Sequence, residues 1–418
     1  MNDPVAWLFA LEQFGIKFGL DNISAIVARL GHPERAFRSV HIAGTNGKGS
    51  VTAMIDAALR AAGHRSARYT SPHLVDLPER FVIDGRPVAQ AELIATIAVV
   101  RDAIDGLRAD GGLDVQPTFF EVTTAIALEL FRRAGVEVAV LEVGLGGRLD
   151  ATNVVSPPDV AVTAITSIAF DHQIHLGTTL RAIAIEKAGI IKRGVPVVVG
   201  PLEPEAAAAI DEIAASRGAA VIRTDPHDCD GMTIGLAGAH QRSNAAVAMR
   251  VLELLDHQGI ALPATAIASG LAQPEWPGRL DVRRLADGRE LLLDAAHNPA
   301  GALSLASYLR AEGGAPRPLV FAAMRDKDVE GMFAALLPAV GRLIITRASN
   351  ARSADPESLA AVAREIAPAL PIAIEPSLDA ALDDAWRSSP RIVVAGSIFL
   401  LGDVIFLLGD VMKRVAGS

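Results

Sequence analysis

Apolar residues along this 418-residue chain fall into short unbroken runs that alternate with longer stretches of helical spacing. The first segments, "VAWLFALEQF" and "ISAIVARLG", carry one apolar face each and predict helices separated by a loop over 15–22. Val40, Ile42 and Ala43 suit a buried strand, 51–62 returns to helical spacing, and Gly63 stands where a left-handed residue would end that helix. In "ARYTSPHLVDLPERFVIDGRPV" the turn signals Ser71-Pro72 and Asp84-Gly85 leave short apolar runs between them, which predict brief strands or an ordered loop. A helix over 91–107 follows, then a second with a polar start in "PTFFEVTTAIALELFRRAG", then a buried strand over 136–143. Further strands are expected in "DVAVTAITSIAFDH", "GVPVVVG" and "AAVIRTD", with helices between them. Strands alternating with helices predict an α/β fold whose mainly parallel sheet is covered on both faces.

The alternation breaks near 274–287, where proline, glycine and charge cluster, and then restarts. The chain is therefore divided into residues 1–284, a P-loop-type domain with a mainly parallel sheet, and residues 285–418, a smaller Rossmann-like α/β domain. In such sheets ligands gather beyond the carboxyl ends of the strands, which singles out Asp294, His297 and Ser397 in the second domain. Residues 392–411 are apolar enough to resemble a membrane span, but they carry Asp403 and Asp410, each costing about 2.5 to 3.5 kcal/mol on an insertion scale. A buried strand and helix joined at Gly396-Ser397 is the better reading. That segment also contains "IFLLGDV" twice in succession, an added heptad that lengthens a helix by about two turns without rotating its apolar face far.

Composition narrows the class. Half of the residues are hydrophobic but only 4% are aromatic, so aliphatic side chains must build the cores. A net charge of −9 argues against nucleic acid held by bulk electrostatics, while leaving room for anionic small molecules held locally. One cysteine, Cys229, cannot form an internal disulfide, and the N-terminal residues lack the basic start and apolar core of a secretory signal, so the expected compartment is the cytoplasm.

The chemistry is concentrated first in "GTNGKGS", which joins the predicted strand ending at Ala43 to the helix over 51–62. Gly44, Gly47 and Gly49 let the backbone approach a phosphate, the helix N-terminus adds partial positive charge, Lys48 adds a full one, and Ser50 offers a hydroxyl. The loop departs from the common P-loop pattern, since only two residues separate Gly44 from Gly47 and Gly49 intervenes between Lys48 and Ser50. Ser71, Glu142, His172 and Lys187 complete the inventory on loops or near strand ends; a hydroxyl, a carboxylate and an imidazole suit a divalent cation such as Mg²⁺. The run "GLGGRLDATN" lacks the third glycine and the helix of a dinucleotide fingerprint. His172 and His175 have no thiolate partner, so a transition-metal pair is a weak reading.

Taken together, "GTNGKGS", "TSPHL", "TFFEVTTAIA", "EVGLGGRLDATN", "DHQIHLGTTLRAIAIEKAGIIK", "HQRSNAAVA", "WPGRLD", "DAAHNPAGA" and "GSIFLLGDV" resemble, in order, the folylpolyglutamate and dihydrofolate synthase family of the Mur ligase superfamily. The resemblance implies that Asn46, Gly47, Lys48, Gly49 and Ser50 hold the phosphates of ATP, with Asn244 and Arg279 contacting ATP from one domain and Asp294 from the other. It implies Ser71, Glu142 and His172 as Mg²⁺ ligands and Lys187 as an N6-carboxylysine, with Lys48, Lys187 and His172 in catalytic roles. For the acceptor it implies Phe18, Gly19, Leu20, Thr118, Phe119, Phe120, Glu121, Leu149, Asp150, Ala151 and Asn153, although Phe119 and Phe120 equally suit a core. His297 and Ser397 are its candidates for the incoming glutamate.

The activity so implied is an ATP-dependent ligase that adds glutamate to dihydropteroate and to folates through an acyl phosphate. Its expected partners are small molecules alone, with no nucleic acid and no membrane, and a monomeric working form. Two other readings stand beside it: a cell-wall precursor ligase of the Mur type, and a P-loop phosphotransferase or switch protein whose turnover needs no glutamate.

Overall fold

The computed structural model describes residues 3–15 and 17–416, with side chains to Gly409. Ile16, inside the loop expected over 15–22, and the side chains of Asp410 and Val411 lie outside the described residues. Contacts divide the chain into two compact units, Met1–Ile168 with Thr178–Gly235 and Arg242–Pro274, and Ala169–Gly177 with Leu236–Gln241 and Glu275–Ser418. The expected boundary at 284/285 instead cuts a hairpin of the second unit, and the break in the pattern that suggested it is partly a strand.

The first unit contains β1 (Arg38–Ala43), β2 (Ser66–Tyr69), β3 (Phe81–Ile83), β4 (Arg86–Pro87), β5 (Val138–Glu142), β6 (Val160–Ile165), β7 (Val197–Val199) and β8 (Val221–Arg223). They form one sheet in the order β4-β3-β2-β5-β1-β6-β7-β8, parallel from β2 to β8 and antiparallel at β3 and β4. β5 and β6 are rich in valine and alanine and buried at every position, and β1 is buried from Ser39 to Ala43, as a helix-covered parallel sheet requires. β5 lies between β2 and β1, while β6 lies on the other side of β1, so the chain reverses its direction of travel about β1. The carboxyl ends of these three neighbours of the first loop are where a ligand crevice is expected.

The helices Asp21–Arg29, Gln90–Ala109 and Phe119–Arg133 pack Ile23, Ile26, Ile97, Val100, Val122 and Ile126 into one apolar cluster. The last helix begins with a capping box: Glu121 N–H donates to Thr118 Oγ1 at 3.2 Å, and Glu121 accepts from Thr118 N at 2.8 Å. That reciprocal pair fixes the start of the helix and the place of Phe119 and Phe120.

The second unit contains β9 (Asp281–Arg284), β10 (Glu290–Asp294), β11 (Pro318–Phe321), β12 (Arg342–Ile345), β13 (Ile372–Ile374) and β14 (Arg391–Ala395), in the order β13-β12-β11-β14-β10-β9. Only β9, an edge strand alternating half-buried and exposed residues, runs antiparallel. β13 and the helix Leu378–Ser388 are elements the hydropathy pattern does not single out. Phe321 and Phe333, with ring centroids 4.8 Å apart, anchor its core with Leu336, Leu343 and Val393.

Residues 392–411 resolve into the end of β14 and the helix Ile398–Ala416, and no helix among the described residues is long and apolar enough to cross a membrane. Leu400, Leu401 and Val404 of the first heptad are fully buried, whereas Phe406 of the second is 61% exposed. Asp403 accepts from the N–H and hydroxyl of Ser349. The repeat thus continues a helix whose packing belongs mainly to its first copy.

Burial sets a pH dependence. His41, fully buried on β1, is held well below the ordinary histidine range by burial and then by the charge of Lys192; His240 is pushed down to about 4 by burial and then by Arg279. Both are neutral in the fold, so the unfolded chain takes up their protons first as pH falls. Their stabilisation is complete above pH ~6.5 and is lost on acidification from there towards 4, by up to about 1.4 kcal/mol per pH unit for each. Thermal midpoints measured at pH 7.5 and 5 should fall accordingly, and His41→Gln should flatten the profile; an unchanged slope would contradict this account.

Candidate active site

The loop between β1 and the helix Lys48–Ala61 is built for close approach. Gly44 has φ +152°, and a Cβ there would lie 1.9 Å from Thr166 Oγ1. Gly47 has φ +89° and caps the helix in the left-handed region, where a Cβ would come within 2.2 Å of Asn244 Oδ1. Asn244, on the helix His240–His257, therefore sits against this loop. The far side is held by residues just past β6: Thr45 N–H donates to Ser167 O at 2.7 Å, Asn46 N–H to Ser167 Oγ at 3.0 Å, and Thr166 Oγ1 to Asn46 O at 2.6 Å. Sequence reasoning did not reach Thr166 and Ser167, although two hydroxyl residues directly after a strand that flanks the loop were the available signal.

Positive charge converges here. Lys48 Nζ donates to Gly44 O at 3.1 Å and Thr45 O at 3.3 Å. Lys187, 5% exposed near the end of the helix Leu180–Ala188, donates from Nζ to the same Gly44 O at 2.9 Å. The Lys48 ammonium and the helix N-terminus at one loop form an anion site, with the Lys187 side chain reaching the same loop carbonyl. Gly49 and Ser50, both buried, open the helix behind it.

Glu142 ends β5, opposite Ile42 of β1, and is 5% exposed. Ser71 lies two residues beyond β2, whose Tyr69 pairs with Leu141. The register thus delivers a hydroxyl and a carboxylate at the carboxyl ends of strands beside the phosphate loop. These hard oxygen donors fit a cation that takes most of its ligands from phosphate and water, and among the described residues no three His, Cys, Asp or Glu side chains cluster into an all-protein cage. His172, the third expected ligand, belongs to the second unit.

A cavity of about 250 Å³ opens in the first unit, and most of the expected acceptor residues line it: Phe18, Gly19, Thr118, Phe119, Phe120, Glu121, Leu149, Asp150 and Ala151, together with Ser71. Phe119 is both core and wall, stacked at 5.7 Å on Phe9 with the Arg80 guanidinium 5.1 Å from its ring centre. Glu121 is occupied by its capping duty and by Asn22, whose amide donates at 3.4 Å. Asp150 is likewise engaged, accepting from Leu145 N–H at 2.9 Å and Thr152 N–H at 3.0 Å, and burial raises its pKa. Leu20 and Asn153 do not line the cavity. Lys17 and the buried Arg80 do, and neither was anticipated, because a lone basic residue in "LPERF" carries no spacing signal.

In the second unit Asp294 ends β10 opposite Ala395 of β14, accepting from Leu280 N–H at 2.9 Å and Ala296 N–H at 3.0 Å; burial raises its pKa. Arg279 belongs to this same unit, in contrast to the sequence expectation that it comes with Asn244. Ser397, 2% exposed, follows β14, and its hydroxyl accepts from Phe399 N–H at 3.2 Å. His297 Nδ1 donates to Ala295 O at 2.8 Å. Beside it Asp171 accepts from Lys327 Nζ at 2.7 Å, from Asn298 Nδ2 at 3.1 Å and from the backbone N–H of His172 at 2.9 Å, with His297 Nε2 at 3.4 Å. Burial opposes its ionisation, but His297, Lys327 and His172 hold the carboxyl well below the usual range. His172, left-handed at φ +49°, is thus fixed by its neighbour. Asp171, Asn298 and Lys327 were missed; adjacency to His172 and His297 was the only sequence clue to the first two.

Residues 278–398 match the family described as Mur ligase, glutamate ligase domain. The chain is 36% identical to the dihydrofolate synthase/folylpolyglutamate synthase of Bacillus subtilis, covering 79% of this chain and 81% of that protein. It is similar in structure to the folylpolyglutamate synthase of Mycobacterium tuberculosis complexed with ADP and AMPPCP, with a TM-score of 0.87 and 34% identity over 97% of this chain and 99% of that one. The bifunctional folylpolyglutamate synthase/dihydrofolate synthase of Yersinia pestis complexed with AMPPNP and Mn ion gives a TM-score of 0.83 at 32% identity, with 98% of each chain covered. Agreement of this extent in sequence and in structure, spanning the phosphate loop and the second sheet alike, makes this chain a member of the dihydrofolate synthase/folylpolyglutamate synthase family of Mur ligases.

Proposed function

We propose that this protein joins L-glutamate to dihydropteroate, giving dihydrofolate, and to the γ-carboxylate of folates, with ATP converted to ADP and phosphate. The observation that carries this reading is the sharing of strand ends: Ser71 lines the cavity, and Glu142 pairs with Ile42, two residues before the phosphate loop, while standing two residues before the cavity-lining Gly144. An acceptor carboxylate in the cavity and a γ-phosphate in the loop would therefore meet beside the same two oxygen donors.

The acceptor carboxylate oxygen attacks the γ-phosphorus and the bond to the β–γ bridging oxygen breaks, giving an acyl phosphate and ADP. Lys48, the N–H groups of 47–50 and the helix N-terminus neutralise the charge spread over the transferring group. Asn244 and the hydroxyls of Thr166 and Ser167 keep the loop in the shape this requires. Ser71 and Glu142 would hold Mg²⁺, which when bound screens phosphate charge. Lys187 as N6-carboxylysine would place an added carboxylate beside the phosphate loop. The glutamate amine then attacks the activated carbonyl, phosphate leaves, and the amine's surplus proton is released. In this reading His297 and Ser397 orient glutamate, with Asp171 fixing His297.

The test supplies ATP, Mg²⁺ and L-glutamate with dihydropteroate or tetrahydrofolate and measures phosphate release. Release that requires both acceptor and glutamate is expected. Release independent of glutamate would move the protein to the phosphotransferases, and none above background with either acceptor would reject the assignment.

A further inference from the structure

The cavity wall made by Leu149, Asp150 and Ala151 leads into the short 3-10 helix Ala151–Val154, in which every polar group of Asn153 is engaged. The Asn153 side-chain amide donates to Arg148 O at 2.9 Å and to Gly189 O at 3.4 Å. Its Oδ1 accepts from Lys192 Nζ at 2.7 Å, and its main-chain oxygen accepts from the same ammonium at 3.1 Å. Arg148 N–H donates to Glu186 O at 2.8 Å, and a Cβ on Gly189 would meet Arg148 Cα at 2.3 Å, so the loop rests backbone to backbone on 186–189. Lys192, partly buried, makes no ion pair with any described carboxylate; among the described residues its ammonium donates to these two neutral oxygens. Burial, and then the nearby Arg217, push its pKa down to about 8. One ammonium holding both the side-chain and the main-chain oxygen of Asn153, whose amide is fixed on the opposite side by two carbonyls, ties the end of this loop to the segment 186–192.

We propose that Lys192 is a positioning residue for the acceptor cavity: by clamping Asn153 it fixes the wall formed by Leu149, Asp150 and Ala151. The assignment rests on the reading of the cavity as the acceptor site. It predicts a much larger change in acceptor affinity than in nucleotide affinity, because the clamp touches one wall of the cavity directly and reaches the phosphate loop only through the segment 186–189, whose Lys187 contacts Gly44 O.

Calorimetric Kd values for dihydropteroate, measured with ADP and Mg²⁺ present, and for ADP alone test it in the full-length protein. Lys192→Met should weaken dihydropteroate binding about tenfold and raise its KM similarly, with ADP affinity within about twofold. Lys192→Arg should recover part of the loss. Asn153→Ala should match Lys192→Met, and the double variant should be no worse than either single one, since both remove the same clamp. Equal acceptor affinity in wild type and Lys192→Met would overturn the assignment, as would acceptor and ADP affinities falling together with the thermal midpoint. A wild-type protein that binds ADP but not dihydropteroate would overturn the reading of the cavity, and this assignment with it.

Discussion

Lys48→Ala is expected to lower kcat by about three orders of magnitude while leaving the thermal midpoint nearly unchanged. The ammonium stands 3.1 and 3.3 Å from two carbonyl oxygens of its own loop, so it is already placed where phosphate oxygens would gather. Negative charge spreads outward as the γ-phosphoryl group transfers, and a fixed cation stabilises that arrangement more than the ground state. Loss should therefore appear in kcat more than in KM for ATP. Lys48→Arg should recover little, because a planar guanidinium is too large for a site already bounded by Gly44 O and Thr45 O. A variant with a near-normal rate would show that this loop does not carry the transferring phosphate.

The second large effect is expected at Gly44→Ala. Two separate costs coincide there: φ of +152° is disfavoured for alanine, and the new Cβ would lie 1.9 Å from Thr166 Oγ1 and 3.2 Å from the Thr166 backbone nitrogen. Thr166 can turn its hydroxyl away only by giving up its 2.6 Å bond to Asn46 O, which shapes the loop. A combined cost of about 3 kcal/mol corresponds to roughly a hundredfold loss of ADP affinity, with a lower thermal midpoint. Adding Thr166→Ala should relieve the collision but not the backbone cost, so only partial rescue is expected. Wild-type ADP affinity in Gly44→Ala would contradict the close approach on which the anion site depends.

The two variants separate charge from shape at one loop. Lys48→Ala removes a cation and leaves the backbone path, whereas Gly44→Ala keeps the cation and displaces the path. If both lose turnover but only the second loses ADP binding, the loop's backbone holds the nucleotide and its lysine serves the transfer.

Much of this was determined by the sequence itself. Hydrophobic period is a local property, so short, mostly apolar runs marked β1, β5, β6, β10 and β14, and glycines flanking Lys48 marked a backbone that must bend sharply before a helix. Motif order then identified the family. Register, by contrast, depends on residues far apart in the chain. Only the tertiary structure set Glu142 opposite Ile42, carried Ser71 to the same edge of the sheet, and brought Lys187 to the carbonyl of Gly44. It also decided which polar residues are occupied: Asn153 looked like a substrate contact in a motif, but its amide is engaged by Lys192, Arg148 and Gly189. The edge strand β9 and the carboxylate of Asp171 escaped notice because a half-exposed polar strand has no apolar run, and a buried charge is recognisable only once its cations are beside it. Sequence determined where glycine, charge and apolar surface had to lie along the chain; folding decided which of them meet, because pairing across a sheet is fixed by burial and hydrogen bonding over distances that local pattern does not encode.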